Sequence, residues 1–325
     1  MKFRYSTRAA FFFVWIVFPV SAQKTIPVPS FKPGETFFYL VHLRSTRDIK
    51  TKSALTFPEP PTAATMDVNG ILEVGALSTD SSGTRLRTWF LSLVSDVESH
   101  PRGSKPDSKL YGDERISAAG KFVDFTLQPD GQIAQIEGLD QFASEQQTAW
   151  REWAARFSSA YSFESQARKH GEKWSTEEPE NSPSPIAGLL WQQKSHYAKD
   201  ESCAPQKFAR SGSFERSSAQ EPCAVVLSTA SLLQKSSAQD STPRDYGLKG
   251  LKTRGTAKGN NDTTLYISRK TGQLVRSVQD ANQQMDVTIA LADGRSVHYA
   301  INASAHSTVE LVIDLPLLLH PRPGD

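Results

Sequence analysis

Two cysteines and seven histidines are the residues of this sequence most able to do chemistry. Cys203 and Cys223 flank a polar, Ser-rich stretch between two strand-like runs, with no histidine between them. An even count in an oxidising compartment favours a disulfide, here one that staples neighbouring strands. Closing that loop stabilises by about 3 kcal/mol. Two free thiols are the alternative. The histidines are His42, His100, His170, His196, His298, His306 and His320, and none pairs at metal-ligand spacing. His298 and His306 can share a strand face, yet they read as surface or core histidines rather than as a metal pair. There is no Gly-x-Ser-x-Gly elbow, no Walker loop, no Gly-x-Gly-x-x-Gly and no His-Glu-x-x-His. No catalytic residue, no metal and no cofactor is therefore expected.

Apolar recognition is the chemistry that remains. Phe142, Trp150, Trp153, Phe157 and Tyr161 recur at helical spacing in a segment without proline. They predict one long amphipathic helix over 139–163, with Glu145, Gln147, Arg151 and Arg156 opposite the aromatics. Trp150, Trp153 and Phe157 are the candidate apolar ligand face. Two readings stay open: the stripe is core packing, or the helix lids a cavity.

The elements that must position that helix are strands. Leu189, Trp191, Gln193, Ser195 and Tyr197 alternate, as do Met285, Val287, Ile289 and Leu291. Val297, Tyr299 and Ile301 alternate on the far side of Asp293-Gly294, a hairpin signal. Val123, Phe125 and Leu127 share a face, and Asn69-Gly70 reads as a turn inside a stretch from 65 to 77. Residues 98–114 are polar, with Pro101, Gly103, Pro106 and Gly112, and read as a loop. Period-2 patterning with short turns predicts an α+β, mostly β fold: a curved antiparallel sheet, a half-barrel-like meander, with the helix packed on one face. Asp286 and Asp314 alternate with apolar neighbours and should face solvent. An acidic, Pro-rich segment at 176–185 is a candidate internal boundary within a single β-rich domain spanning 23–325.

Of the 325 residues, 38% are hydrophobic and 22% charged, the profile of an ordinary folded protein. Residues 1–22 resemble a secretory signal peptide. Lys2, Arg4 and Arg8 precede a short apolar run from Ala9 to Val20, and Val20-Ser21-Ala22 ends it with small residues. Cleavage is expected between Ala22 and Gln23, and an N-terminal anchor is the alternative. Loss of the three basic residues takes the formal net charge from +2 to −1, which removes any reason to expect a nucleic-acid partner. No later stretch is apolar enough to span a bilayer, so no transmembrane segment is expected in the mature chain. The protein is expected to be exported, to the periplasm or beyond the cell.

Phe31-Lys32-Pro33-Gly34-Glu35 before Tyr39, Gly171-Glu172-Lys173-Trp174, and Gly272-Gln273-Leu274 before the strand from Met285 resemble motifs of an uncharacterised family of exported bacterial proteins. The plan is distantly similar to periplasmic lipoprotein-carrier and lipoprotein folds. That resemblance implies a curved sheet half-closed round an apolar cavity, and carries no catalytic residues with it. Three functions follow in order: a non-enzymatic envelope protein binding a lipid, another apolar ligand or an envelope protein; a structural or interaction domain without a cavity; a hydrolase with a dispersed site.

Overall fold

The computed structural model describes residues 25–27, 31–53, 62–101, 109–112, 120–129, 131–142, 147, 150, 151, 153, 154, 157, 168–180, 184–209 and 211–315. The leader, with Ala22 and Gln23, lies outside the described residues. The chain is dominated by antiparallel strands: β1 (Thr25–Ile26), β2 (Thr36–Ser53), β3 (Thr62–Asp80), β4 (Gly83–Pro101), β5 (Lys109–Gly112), β6 (Val123–Leu127), β7 (Ile133–Glu137), β8 (Arg168–Lys169) and β9 (Lys173–Pro179) in its first half. β10 (Leu189–Cys203), β11 (Gln206–Phe208), β12 (Phe214–Arg216), β13 (Glu221–Gln234), β14 (Lys252–Ser268), β15 (Leu274–Ala290) and β16 (Ser296–Ile313) complete it. The main sheet runs in the order β7-β6-β4-β3-β2-β16-β15-β14-β13-β10-β9, and β1 pairs β8 separately. One short parallel pairing, β11 on β16, departs from the antiparallel rule.

Directly paired residues of neighbouring strands point to the same side of a sheet, so register sorts the side chains. Leu232 pairs Gly259, Gly259 pairs Gln283, Gln283 pairs Ala303, Ala303 pairs Arg47, and Arg47 pairs Ala64. That side, the inner face, carries nearly all of the buried hydrophobics. On β14 every second residue from Lys252 to Asp262 is exposed, while Thr253 and Ala257 between them, and Leu265 beyond, are buried. The outer face is charged: Arg44, Asp48, Lys50 and Lys52 on β2 stand there with Arg254, Lys258, Asp280 and Asp286.

The sheet curls. Ten inter-strand steps of about 4.8 Å would set β7 and β9 about 48 Å apart in a flat sheet. Yet Gln132 Nε2, just before β7, lies 3.5 Å from Glu178 Oε1 on β9. The backbone ladder stays open between them, so this is a curled sheet and not a closed barrel. Glycine permits the bending. A Cβ on Gly255 would lie 2.2 Å from the Asp286 carbonyl oxygen, and one on Gly259 would lie 3.0 Å from the Trp191 ring.

Three expectations are corrected. A single helix over 139–163 is not what the chain forms. Leu139–Gln141 is a 3-10 turn entered through left-handed Gly138 (φ 84), and Phe142 is extended (φ −114, ψ 153). Helical geometry holds at Gln147, Trp150, Arg151, Trp153, Ala154 and Phe157, and the rest of the predicted helix lies outside the described residues. Eight residues of helix would separate Phe142 from Trp150 by about 12 Å of rise. The break lets their ring centroids meet at 5.7 Å. Arg244–Leu248 is a short helix elsewhere in the chain. Second, Asn69-Gly70 is not a turn: β3 runs through it, and Gly70 leaves room for the Phe90 ring, which a Cβ would meet at 3.0 Å. Third, much of the polar stretch 98–114 is strand, the end of β4 and all of β5. The Pro-rich segment at 176–185 begins as the edge strand β9, where Pro179 costs no central ladder bond.

Candidate functional site

Along the strands the inner face has three zones. At one end the side chains of β2, β3, β4, β6, β10, β13, β14 and β15 converge on an aromatic cluster. Trp150, Trp153 and Phe157 sit inside it at 6%, 9% and 3% exposure. Trp153 stacks on Phe157 with centroids 5.2 Å apart, Trp150 meets Phe90 at 5.1 Å, and Phe157 meets Tyr39 at 6.0 Å. The three predicted ligand-face residues thus lie together, ring against ring, on the inner face. Trp153 Nε1 is buried without an acceptor among the described residues.

At the other end a smaller core gathers Ile186, Leu189, Leu232, Ala257 and Val287. Trp191, Met285, Ile289 and Tyr299 are only half-buried against it. The Trp191 indole donates to Glu180 Oε2 at 2.7 Å, which fixes the ring over Gly259.

Between the two cores lies a belt of small, neutral side chains. Ser195 and Ser228 share a hydrogen bond at 2.7 Å, and Gln193 Nε2 donates to Ser195 Oγ at 3.1 Å. Thr263 Oγ1 donates to Asn261 Oδ1 at 3.3 Å, and Ser307 Oγ to Gln279 Oε1 at 3.4 Å. Several polar groups of the belt are therefore paired with one another, and the belt presents a polar but uncharged wall. From β10 through β13, β14, β15, β16 and β2 to β3, the paired register puts two charged side chains on this face: Asp200 of β10, which is paired with Arg269, and the exposed Arg47.

The remaining candidates sit elsewhere. His298 Nε2 lies 3.0 Å from Asp286 Oδ1, and His306 Nδ1 lies 2.8 Å from Asp280 Oδ1, both on the outer face. Each histidine has its own carboxylate, so the two do not converge on a common point. Asp286 is exposed there, as its alternation predicts. Cys203 and Cys223 stand 5.8 Å apart at Cα, a spacing that fits the disulfide between the neighbouring strands β10 and β13. Glu221 comes within 4.8 Å of both sulfurs. With the thiols bonded to each other it retains one carboxylate, which accepts from Ser268 Oγ at 3.0 Å. A three-ligand metal site is not available from that set.

On β10, Tyr197 is fully buried. Its hydroxyl donates to Asp200, whose other oxygen is 3.1 Å from Arg269. Burial, and then the bond to Asp200, push the phenol well above its ordinary pKa. This part-buried network ties β10 to the turn after β14. A hollow of about 340 Å³ is lined by residues 256–258, 284–286 and 300–302 of β14, β15 and β16, from both faces of those strands, and shares no residue with the aromatic cluster.

Sequence reasoning missed the belt and Arg47. Gln193 and Ser195 were visible as one strand's alternation, but their partners on other strands are joined only by register, which a single sequence does not display.

No family model matches the sequence, and no curated protein does. Among solved structures, lipovitellin, described for its lipid–protein interactions, is matched at TM-score 0.44 and 12% identity over 87% of this chain. The chain spans a quarter of the length of that protein, 25%. An outer membrane channel from Pseudomonas putida F1 is matched at TM-score 0.22 and 9% identity, covering 87% of this chain and 97% of the channel. No helix among the described residues is long and apolar enough to cross a membrane.

Proposed function

We propose that this chain is an exported, non-enzymatic protein of the cell envelope that binds a lipid or another apolar ligand along the inner face of its curled sheet. The observation that carries the reading is the inner face itself. Seven neighbouring strands contribute mostly apolar or neutral side chains to it and a single charge without an ion pair among the described residues, Arg47, while the outer faces of β2, β14 and β15 carry several charges each. A sheet that needed only a solid core would be free to place charges on the stretch between its two cores. An uncharged wall of small side chains there, partly hydrogen-bonded among themselves, suits the long neutral chain of an amphiphile. Half-buried Trp191, Met285 and Tyr299 line one end of that path, and Trp150, Trp153 and Phe157 bound the other. Export is supported by the leader-like residues 1–22 and by the disulfide spacing.

A second reading, an interaction domain without a cavity, draws on the aromatic cluster, whose rings already pack against one another. One experiment separates the two. The mature protein is titrated with 1-hexadecanol while tryptophan emission is followed, with Trp191→Phe as the reporter control. Saturable change that weakens in Trp191→Phe, together with lipid in the mass spectrum of the purified protein, is the expected result. No change and no co-purified lipid would leave the interaction domain standing alone. Intact mass of the exported protein should begin at Gln23; retention of residues 1–22 would make them an anchor.

A further inference from the structure

Arg47 is the anomaly of the inner face. The outer face of the same strand carries Arg44, Asp48, Lys50 and Lys52, so a basic residue on β2 has no need of an inward position. Arg47 instead pairs Ala303 on one side and Ala64 on the other. Its neighbours along the strand on that face are Ser45 and Ile49. Two alanines flank it where larger side chains would fill the space, and the guanidinium remains exposed. Among the described residues it makes no ion pair, and no carboxylate stands on the inner face of β2, β3, β13, β14, β15 or β16. The acid in the same row, Glu178, is on the edge strand beyond Trp191 and approaches Gln132. A guanidinium in neutral surroundings is costly unless water or an anion meets it. Its planar fork matches a carboxylate with two parallel hydrogen bonds. Immediately towards the smaller core lie Ile49 and Ile301, paired across β2 and β16, then Met285 and Tyr299.

We propose that Arg47 is the head-group anchor of the trough, and that the ligand is a long-chain carboxylate, held by its anion at Arg47 with its tail laid over Ile49, Ile301, Met285 and Tyr299. The inference rests on the reading of the inner face as a ligand trough and adds to it the charge and class of the ligand. Asp200, the other charge on the wall, is already paired with Arg269, so one unpaired cation calls for one anion on the ligand.

The test compares two probes with the same tail, palmitate and 1-hexadecanol, on the mature protein and on Arg47→Gln, Arg47→Lys and Lys50→Gln. Binding is read by calorimetry and by tryptophan emission. Arg47 is exposed, so its replacement should leave folding intact, which circular dichroism checks. Palmitate should bind the unaltered protein more tightly than hexadecanol. Arg47→Gln should weaken palmitate at least about tenfold, the size of a lost charge-assisted hydrogen bond, and leave hexadecanol unchanged. Arg47→Lys should recover part of the loss, and Lys50→Gln, on the outer face, should change neither. Palmitate binding equally to Arg47→Gln and the unaltered protein would overturn the anchor while hexadecanol uptake kept the trough. Failure of both probes on the unaltered protein would overturn both.

Discussion

Gly255 and Gly259 show how single residues set the shape of the inner face. A Cβ at Gly255 would press on the Asp286 carbonyl oxygen and the Val287 Cα, both backbone atoms that cannot swing aside. Gly255→Val should therefore cost about 1–3 kcal/mol in urea unfolding, whereas Thr256→Val, one residue on and facing outwards, should be close to neutral. Equal costs would mean that the inner face is not crowded there. Tyr197 makes a different residue-scale prediction. Its phenol is held neutral by burial and by the bond to Asp200, with a folded pKa above the ordinary 10.0. A raised folded value contributes stability that is fully present below pH 10 and lost as pH rises through the folded value. Unfolding midpoints measured from pH 8 to 12 should fall more steeply for the unaltered protein than for Tyr197→Phe. Parallel curves would remove Tyr197 from the alkaline response.

At the scale of the element, the hairpin of β15 and β16 was the part most legible in the sequence. Met285, Val287 and Ile289 alternate, Asp293-Gly294 turns the chain, and Val297, Tyr299 and Ile301 return in register: Ile289 on Val297, Val287 on Tyr299, Met285 on Ile301. Val287 is buried and Thr288 points outwards. Val287→Asp should lower stability by several kcal/mol, about the loss of a buried side chain plus the penalty of a buried carboxylate. Thr288→Asp should shift the midpoint little. Similar shifts would show that the hairpin is not one-faced. Cys203 and Cys223 were equally legible because covalent pairing depends on count and compartment. The double variant Cys203→Ser/Cys223→Ser should lose about 3 kcal/mol, read as a lower thermal midpoint with unchanged strand content; an unchanged midpoint would make the bridge dispensable. The helix was the misreading. Aromatics at spacings of three and four do fall on one side of a helix, but Phe142 reaches the same cluster through an extended backbone. Periodicity reports which residues want burial, and several backbone routes deliver a side chain to the same place.

At the scale of the whole molecule, the curl decides everything about the site. A flat sheet of these strands would expose both faces and hold its edges far apart, whereas the approach of Gln132 to Glu178 turns one face inwards. The protein with Gln132→Cys and Glu178→Cys should be joined within the monomer by a short bismaleimide, detected as a faster band on denaturing gels. No intramolecular product would mean that the edges are apart in solution and that the sheet is flatter than described.

Composition and period-2 alternation by themselves determined that the chain is mostly antiparallel strand, where several of its turns fall, which cysteines pair and which residues seek burial. Those properties are local: each depends on a few residues and on solvent. The tertiary structure alone decided that Ser195, Ser228, Thr263, Gln279 and Ser307 form one belt, and that Arg47 stands on that face between two alanines. Shifting any strand by one residue would send its inward set to solvent while leaving its alternation unchanged. Register comes from the summed burial of seven strands at once and from glycines that admit the bend, so no single segment carries it.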